Sequence, residues 1–433
     1  MDKMNNYNGN IKNISCSAWN VNGLSKKKLQ DKEFLKNVKK YDIICLSETW
    51  TKKSSEVMIN GFKHFHAQSV NMCKKGRRSG GVIVYVKNKL IDGVTCIKTD
   101  TNNIWLQLSA TFFGWVEDIY LLNTYIPPQN SIYFDNQMEM IETDIITYSN
   151  QGKIIIMGDL NARVGNEPDY ITNDELDDFI PLPDSYCVDE ITKGRTHCDA
   201  FVNECGKRLL ELCISSNLRI MNGRFIGDSM GRFTYYSTLG ASTIDYGICD
   251  KSILNLIKHF SVFPLTEYSD HCQIAFSILC FTNNTHKSKN STKIHYNKTP
   301  IKSSPLWREW SKETYTEAIW NDNCINRLVS FMNNKYDINT KDANKAVEDL
   351  TNIIQETAAS AVEIRKIKTK PKQIDNKLGY DTECLMMKRK LRGLAKKLHK
   401  SPLDLSIKAN FLKIKNQYKN LSKQKIEISE HKF

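Results

Sequence analysis

Short apolar runs alternate with polar loops in the first part of the chain, from residue 14 to residue 281. Seven runs are six to eight residues long and rich in β-branched or aromatic residues, which is typical of buried and half-buried strands. They are ISCSAW, YDIICLS, GGVIVYV, IWLQLSA, DIYLLNTY, KIIIMGD and CQIAFSI. Residues 132–149 and 200–216 place apolar side chains three and four positions apart, which predicts helices that pack on a sheet. The pattern therefore predicts an α/β fold in which strands are in the majority.

The pattern changes after residue 281. Residues 282–304 are polar, basic and nearly free of large apolar side chains, which is typical of a linker. Three amphipathic helices are predicted beyond it: a stripe of Val347, Leu350, Ile354, Ala358, Ala361 and Ile364, then residues 384–400 and 404–429. We predict a disordered N-terminus at 1–13, an α/β domain at 14–281, a linker at 282–304 and an all-α basic region at 305–433.

The formal net charge of +13 is concentrated in one part of the chain. Residues 283–433 hold 31 Lys and Arg against 16 Asp and Glu, a charge of +15, whereas residues 1–282 hold 30 against 32, a charge of −2. A basic region of this kind favours a polyanionic partner, and we expect its helices to bind the phosphate backbone of a nucleic acid. Two other interpretations stay open: a surface for a protein partner, and packed helices whose lysines are simply solvated.

Composition and cysteine usage narrow the class of protein. Apolar residues make up 40% and charged residues 25% of the 433 positions, which is typical of a globular protein and excludes a chain disordered throughout. The 13 cysteines form no CxxC pair and no zinc-like grid with histidine, so we expect reduced thiols. No signal peptide and no apolar run of the ~18 residues that a membrane span needs are present. We expect a soluble, intracellular protein without a membrane partner, and nothing in the sequence indicates its oligomeric state.

Five polar clusters lie at the ends of predicted strands, where a packed sheet holds side chains still enough for catalysis. They are Asn20-Val21-Asn22-Gly23, Ser47-Glu48-Thr49, Thr124-Tyr125, Gly158-Asp159-Leu160-Asn161 and Ser269-Asp270-His271, with Asp245 as a sixth point. Each cluster alone also fits an ordinary structural role, such as a helix cap, a Gly-Asp turn or a packed tyrosine. Their combination is what indicates chemistry.

The residue types fit work on a phosphate. Glu48 follows a strand and supplies a hard carboxylate, the kind of ligand that Mg²⁺ prefers. Asp159 and Asn161 stand two positions apart, so that one can move a proton while the other holds a phosphate oxygen. His271 can act as a base or bind added charge if a carboxylate fixes its tautomer, and the hydroxyl of Tyr125 can contact a phosphate.

The ordered motifs WNVNG, LSETW, NTYIPP, GDLNAR, TIDY and SDH resemble the signatures of the endonuclease/exonuclease/phosphatase superfamily. Within it, the runs GDLNARVG, GKRLLELCISSNLRIMNGRF and FTYYSTLGASTIDYGICD resemble the endonuclease domain of LINE-type non-LTR retrotransposons. The tail, with Trp307, Trp310 and YDTECLMMKRKLRGLAKKLHK, resembles the connector before the reverse transcriptase of such elements. The resemblance implies a four-layer α/β sandwich, with two packed mixed β-sheets flanked by helices.

The resemblance also implies a role for each candidate residue. Glu48 would bind the metal, Mg²⁺ or alternatively Mn²⁺, with help from Asn20 and with Asp270 close by. Asn22 stands where many cellular members carry Asp, which should weaken the affinity for the metal without abolishing it. In the acid/base group, Asp159 would move the proton, Asn161 would bind the phosphate, Asp245 would orient His271, and Tyr125 would contact the scissile phosphate.

The function that follows is a metal-dependent endonuclease that nicks DNA in the nucleus and leaves a 3′-hydroxyl and a 5′-phosphate. Two alternatives stay open. The same fold could serve an abasic-site repair nuclease or another phosphodiesterase or phosphatase. A protein of another class, an inactive nucleic-acid-binding or scaffolding relic, is disfavoured because the candidate catalytic residues are all present.

Overall fold

A computed structural model describes residues 10–52, 57–69, 78–128, 134–171, 194–282, 303–305, 308, 310–334, 336, 340–362, 364–366 and 382–430. Contacts divide the chain into two units. The first unit consists of Met1–Thr285 with Lys377–Phe433, and the second unit consists of His286–Asn376. No helix in the described part of the chain is long and apolar enough to cross a membrane.

The first unit is built on two six-stranded sheets and a small hairpin. Its strands are β1 (Asn10–Asn20), β2 (Ile43–Ser47), β3 (Phe62–Ala67), β4 (Val82–Lys87), β5 (Val94–Thr99), β6 (Asn103–Leu108), β7 (Ile119–Tyr125), β8 (Lys153–Asp159), β9 (Leu218–Ile220), β10 (Tyr235–Tyr236), β11 (Ala241–Ser242), β12 (Asp245–Asp250), β13 (Ile257–Val262) and β14 (Ile274–Thr282). The first sheet has the order β13-β14-β1-β2-β4-β3, the second has the order β5-β6-β7-β8-β12-β9, and β10 pairs with β11. Both sheets are mixed, because β1 and β2 are parallel, β7 and β8 are parallel, and their other pairs are antiparallel.

Helices cover the outer faces of the two sheets. Over the two units, the helices of the described residues are α1 (Lys26–Gln30), α2 (Lys32–Lys39), α3 (Ala110–Phe113), α4 (Phe134–Ser149), α5 (Glu204–Ser215), α6 (Ser311–Ile319), α7 (Asp322–Asn333), α8 (Thr340–Ala361), α9 (Thr382–Lys400) and α10 (Leu405–Glu430). Short 3-10 helices at Asn88–Gly93 and Lys251–Leu256 join neighbouring strands.

The alternation of side chains along each strand decides which layer each residue joins. On β2, Ile43 and Cys45 lie in the core between the sheets, whereas Ile44 and Leu46 lie under α2 with Phe34. This period of two is what a strand buried on both faces requires. The outer face of the second sheet packs in the same way against α4 and α5. The unit is therefore a helix-sheet-sheet-helix sandwich, which confirms the predicted fold class.

All seven predicted strands are present, and the sequence missed strands that lack a clear apolar pattern. β3, FKHFHA, is a half-exposed edge strand without a clear apolar alternation, and β12 carries Gly247 in its centre. β1 begins at Asn10 inside the predicted disordered N-terminus, because its first residues pair with β14. The predicted helix at 200–216 begins only at Glu204, where the Asn203 side chain accepts a hydrogen bond from the Gly206 amide, so Phe201 precedes it and is exposed.

The second unit contains α6, α7, α8 and a two-stranded pairing of β15 (Ser303–Pro305) with β16 (Ile364–Lys366). The apolar stripe predicted for this region was wrong in its details. Val347 and Ile354 of that stripe are 66% and 48% exposed, whereas Ile353 and Thr357 are the buried positions of α8. Ile364 falls outside the helix, in β16. Most of the predicted linker, residues 283–302, lies outside the described residues.

The last two helices form a hairpin that packs on the α/β sandwich within the first unit. We call α9 and α10 together the C-terminal hairpin. Its buried side chains belong to the same core cluster as the inner faces of the sheets: Leu391, Ala395, Leu398, Phe411 and Ile414. Lys388 of α9 contacts Glu33 of α2 and lies 2.7 Å from Glu267 in the loop before β14. The predicted domain boundaries stay predictions, but residues 377–433 share their contacts with the α/β sandwich.

We predict that the C-terminal hairpin contributes to the stability of the first unit. Phe411 is fully buried, so Phe411→Ala should lower the free energy of unfolding of the full chain by about 3–5 kcal/mol, through lost transfer energy and the cavity left behind. Urea unfolding followed by tryptophan fluorescence measures this. Leu405→Ala on the same helix is the control, because Leu405 is 75% exposed. Equal midpoints for the two variants would mean that the hairpin docks without stabilising the sandwich.

Candidate active site

A cavity of about 250 Å³ opens at one edge of the sandwich. Its lining residues are Asn20, Asn22, Glu48, Trp50, Tyr125, Pro128, Asp159, Asn161, Tyr235, Ile244, Asp270 and His271. Eight of the nine candidate residues from the sequence line this cavity. The ninth, Asp245, is buried and hydrogen-bonded to His271 behind the cavity wall.

The strand order brings these residues together. β1 runs parallel to β2, so Asn20 and the end of β2 lie at the same sheet edge. In the other sheet β7 runs parallel to β8, which places Tyr125 beside Asp159. β12 is antiparallel to β8, so its first residue, Asp245, also pairs with Asp159. Between the sheets, the Asn20 amide nitrogen donates to Asp159 Oδ2 at 2.9 Å.

Three buried groups form a chain of acid and base contacts. His271 Nδ1 lies 2.9 Å from Asp245 Oδ2, and His271 Nε2 lies 3.9 Å from Asp159 Oδ2. Because the Asp245 carboxylate accepts the hydrogen on Nδ1, it fixes the orientation of the ring and leaves Nε2 facing Asp159. The structure thus brings together the three residues that the sequence assigned to proton transfer.

Burial and the neighbouring charges shift both titrating groups at the cavity. Burial and the nearby Asp245 carboxylate raise the pKa of Asp159 to about 7. Burial alone would lower the pKa of His271, but the carboxylates of Asp245 and Asp159 outweigh it and raise that pKa to about 9. Two carboxylates around one imidazole favour the protonated ring. The site therefore favours an imidazolium at His271 and makes Asp159 harder to ionise than a free carboxyl.

A second group of oxygen-bearing side chains lies on the other side of the cavity. The Asn22 side chain donates to Asp270 Oδ1 at 2.8 Å, and the Asn22 backbone donates to Asn20 Oδ1 at 3.0 Å. Glu48 is 7% exposed, and its Oε2 accepts a hydrogen bond from the indole of Trp50. Two carboxylates and two amides, from the end of β1 and from loops of the first sheet, thus line this part of the cavity.

The backbone at the cavity is held in an unfavourable conformation. Among the described residues, non-glycine positions with positive φ are Asn22, Glu48, Trp50, Asn161 and Asn217. The first four line the cavity, and only Asn adopts this region with little penalty. Such a conformation costs about 1–3 kcal/mol per residue and clusters where function requires a fixed geometry. The strain at Glu48 and Trp50 thus supports a functional site here.

Asn161 and Tyr125 lie on the wall formed by the second sheet. The Asn161 backbone donates to Asp159 Oδ1 at 3.1 Å, a turn that follows directly from the spacing of two positions. The Asn161 side chain donates to the Ile126 carbonyl at 2.9 Å, which directs its amide toward the cavity. Tyr125 is 7% exposed and lines the cavity beside it.

Two aromatic residues of the cavity were not predicted from the sequence. Trp50 lies within LSETW and covers Glu48, and Tyr235 lies within FTYYS with its ring centre 4.8 Å from that of His271. Both stood inside motifs that were quoted for the resemblance. The local signal was weak, because an aromatic residue beside a turn is usually a packing residue.

Comparisons with known proteins identify the family of this chain. The profile of the Endonuclease/Exonuclease/phosphatase family matches residues 17–271, more than half of the chain. The chain belongs to this family. A search of the curated proteins found no match.

Similar solved structures include an AP endonuclease, the APE2 catalytic domain and the endonuclease domain of a retrotransposon. The AP endonuclease LMAP from Leishmania major has 16% identity and a TM-score of 0.45, over 62% of this chain and 88% of that chain. The APE2 catalytic domain from Xenopus laevis has 17% identity and a TM-score of 0.45, over 63% and 94%. The endonuclease domain of TRAS1, a telomere-specific non-LTR retrotransposon, has 16% identity and a TM-score of 0.39, over 61% and 98%.

This endonuclease/exonuclease/phosphatase domain offers two positions to a divalent metal. The ligand atoms of Asp159, Asp245 and His271 lie within 4.8 Å of one another and could hold an ion. Asp245, however, already accepts a hydrogen bond from the ring of His271. The group of Glu48, Asp270 and Asn20 offers only hard oxygen ligands, which Mg²⁺ prefers to imidazole. The residues present therefore fit a hard divalent cation at the Glu48 side of the cavity.

The left-handed turn at Gly23 gives a test of how tightly the Glu48 side is built. Gly23 has a φ of 86°, and a methyl group added there would meet the ring of Trp50. Gly61 has a φ of 90° and open space around it. We predict that Gly61→Ala costs about 1–2 kcal/mol from backbone strain alone, and that Gly23→Ala costs about 1–3 kcal/mol more from overpacking.

Urea unfolding of the two alanine variants measures the difference directly, since the backbone conformation is matched and only the surroundings differ. Equal losses of stability would show that Trp50 moves aside without cost. In that case the ring would not hold the Glu48 carboxylate in a fixed position.

Proposed function

We propose that this protein is a Mg²⁺-dependent endonuclease that nicks DNA and leaves a 3′-hydroxyl and a 5′-phosphate. The observation that carries the proposal is the presence, in one cavity, of a buried Asp245–His271–Asp159 chain and of a separate carboxylate group at Glu48 and Asp270. Phosphodiester hydrolysis needs a proton acceptor for water and positive charge for the phosphate at the same time.

The side chains divide this work between them. Ionised Asp159 accepts a proton from the attacking water as the water oxygen bonds to phosphorus and the bond to the 3′ oxygen breaks. The departing 3′ oxygen takes a proton from solvent water and becomes the 3′-hydroxyl. The imidazolium of His271 donates from Nε2 to a phosphate oxygen, where negative charge grows in the transition state. The Asn161 amide has a second N–H besides the one donated to Ile126, and this N–H binds a further phosphate oxygen.

Glu48, Asp270 and Asn20 are the residues that would hold the metal. A bound Mg²⁺ would supply a Lewis acid for the phosphoryl or leaving oxygen. Asn22 contributes by fixing Asp270, since its amide nitrogen donates to that carboxylate. An Asp at position 22 would instead repel Asp270, so Asn22 keeps the pair together at the expense of one negative charge on the metal side.

DNA as substrate is supported by the motifs shared with retrotransposon endonucleases and by the charge of the tail. Exposed lysines on α10 include Lys413, Lys419 and Lys423. They form a basic surface on the first unit that is suited to a phosphate backbone. Contacts of this kind add affinity for DNA without sequence preference.

The first prediction from this proposal concerns nicking of supercoiled plasmid by the full chain with Mg²⁺. We expect conversion to the nicked circle, its loss in EDTA, and a fall of about 10²–10⁴-fold in Asp159→Asn and His271→Ala, since each removes a proton-transfer or charge-stabilising group. Asp250→Asn is the control, because it makes the same chemical change at the opposite end of β12, away from the cavity.

Other outcomes of the same assay favour the alternatives. Cleavage of an abasic duplex without plasmid nicking would favour a repair nuclease. A folded protein that binds DNA but cuts neither substrate would favour the inactive relic and contradict the proposal.

The second prediction concerns the pH dependence of the nicking rate. As pH falls through about 7, Asp159 gains a proton and can no longer accept one from water. As pH rises through about 9, His271 loses its proton and with it the positive charge. The rate should therefore be bell-shaped, with its maximum between these values.

Asp245→Asn provides the check, because the Asp245 charge raises both pKa values. Its removal should move both limbs of the profile to lower pH. A profile with unmoved limbs would mean that Asp159 and His271 are not the groups that titrate.

A further inference from the structure

We propose that Lys415 of the C-terminal hairpin is a positioning residue of the nuclease site, although it lies 146 positions from the segment that it holds. The inference rests on the proposed function and extends it to a part of the chain outside residues 17–271, the range that matches the family. Lys415 lines no part of the cavity. It acts through Ser269, Asp270 and His271.

The three carbonyl groups of Ser269, Asp270 and His271 each accept one hydrogen bond from a different part of the first unit. The Ser269 carbonyl accepts from Lys415 Nζ at 2.6 Å. The Asp270 carbonyl accepts from the Tyr236 amide at 3.0 Å, and the His271 carbonyl accepts from the Trp19 indole at 3.0 Å. Of these donors, Lys415 is the one that the C-terminal hairpin supplies.

Ser269 passes the constraint on to both sides of the cavity. Its hydroxyl donates to the Asn20 carbonyl at 2.6 Å and accepts from the His271 amide at 3.1 Å. Asn20 in turn donates to Asp159. A shift of the Ser269 peptide would therefore move Asn20 and His271 together. Placement errors of about 1 Å in a catalytic group are enough to lower a rate strongly.

The hairpin is anchored where it can hold this segment. Lys388 of α9 pairs with Glu267, and their side chains are only 6% and 7% exposed. Arg392 binds Glu33 of α2 at 3.0 Å. Glu267 lies two residues before Ser269. The two helices of the hairpin, α9 and α10, therefore contact the same loop. A charged pair this well buried fixes the position of the hairpin, because separation of the two charges would be costly.

Lys28 likewise contacts backbone carbonyl groups, those of the neighbouring loop. Its Nζ contacts the carbonyl of Val21 and lies 2.8 Å from that of Gly23 and 3.3 Å from that of Asn22. Lys28 belongs to α1 within the sandwich, whereas Lys415 comes from the tail. Two ammonium groups thus hold the two loops that carry Asn22 and Asp270, one from each region of the chain.

The test compares the full chain with Lys415→Met, Lys415→Arg and Lys396→Met. Lys396 lies on α9 of the same hairpin and is exposed, so Lys396→Met removes the same charge and leaves the hydrogen bond from Lys415 to Ser269 in place. Three quantities are measured: hydrogen exchange of the amides in residues 265–272, the single-turnover nicking rate, and the Kd for DNA. We expect Lys415→Met to speed exchange at His271 and Cys272 and to slow nicking, each by about tenfold, with Kd nearly unchanged. Lys415→Arg should restore most of both.

Several results would overturn the proposal. Equal effects of Lys396→Met would assign the role to charge rather than to position. A weaker Kd with an unchanged rate would make Lys415 a DNA contact, and faster exchange over the whole first unit would make it a general stabilising residue. Should the wild-type chain not nick DNA, the nuclease proposal fails, while the exchange data still decide whether Lys415 holds the segment.

Discussion

The hydrogen bond from Asn20 to Asp159 joins the ends of two strands that belong to different sheets. The cavity depends on this junction, because neither sheet carries a complete set of groups. Glu48 and Asn22 follow strands of the first sheet, whereas Asp159 and Asn161 follow β8 of the second. His271 precedes β14 of the first sheet but binds Asp245 of the second, which is a second bond across the same junction. Face-to-face packing of the two sheets is thus the physical condition for the site.

Burial makes the charge balance at this junction strict. Asp159 and Asp245 are 1% and 2% exposed, and two ionised carboxylates at this depth would repel each other strongly. A proton on His271 offsets this repulsion, which is why the pKa of His271 is raised despite burial. The same balance explains the division of the cavity into two halves. One half uses an imidazolium to offset its carboxylates, and the Glu48 half keeps carboxylates and amides that a divalent cation can offset.

The sequence was sufficient for the fold class and for the expectation that the candidate residues lie at one sheet edge, for physical reasons. Long buried strands such as KIIIMGD have an unmistakable apolar pattern, and polar residues directly after them must lie at a sheet edge. β3 and β12 were not predicted, because the exposure of β3 and the central glycine of β12 remove that pattern. The pairing of His271 with Asp245 was reached through the family resemblance, since a contact between residues 26 positions apart has no local signature. Trp50 and Tyr235 were missed because an aromatic residue near a turn is ordinary.

The C-terminal hairpin shows where such inference ends. Its apolar stripes predicted two helices correctly, but hydrophobic burial has no direction and does not specify which surface the stripe covers. The choice is made by charges. Lys388 finds two carboxylates, Glu33 and Glu267, on elements far apart in the chain. A buried pair of this kind adds little net stability, yet any other docking would leave the ammonium unpaired. The lysines that contribute to the charge of +15 on the tail therefore have different roles. Some are solvated, whereas Lys388 and Lys415 fix the hairpin against the loop that carries His271.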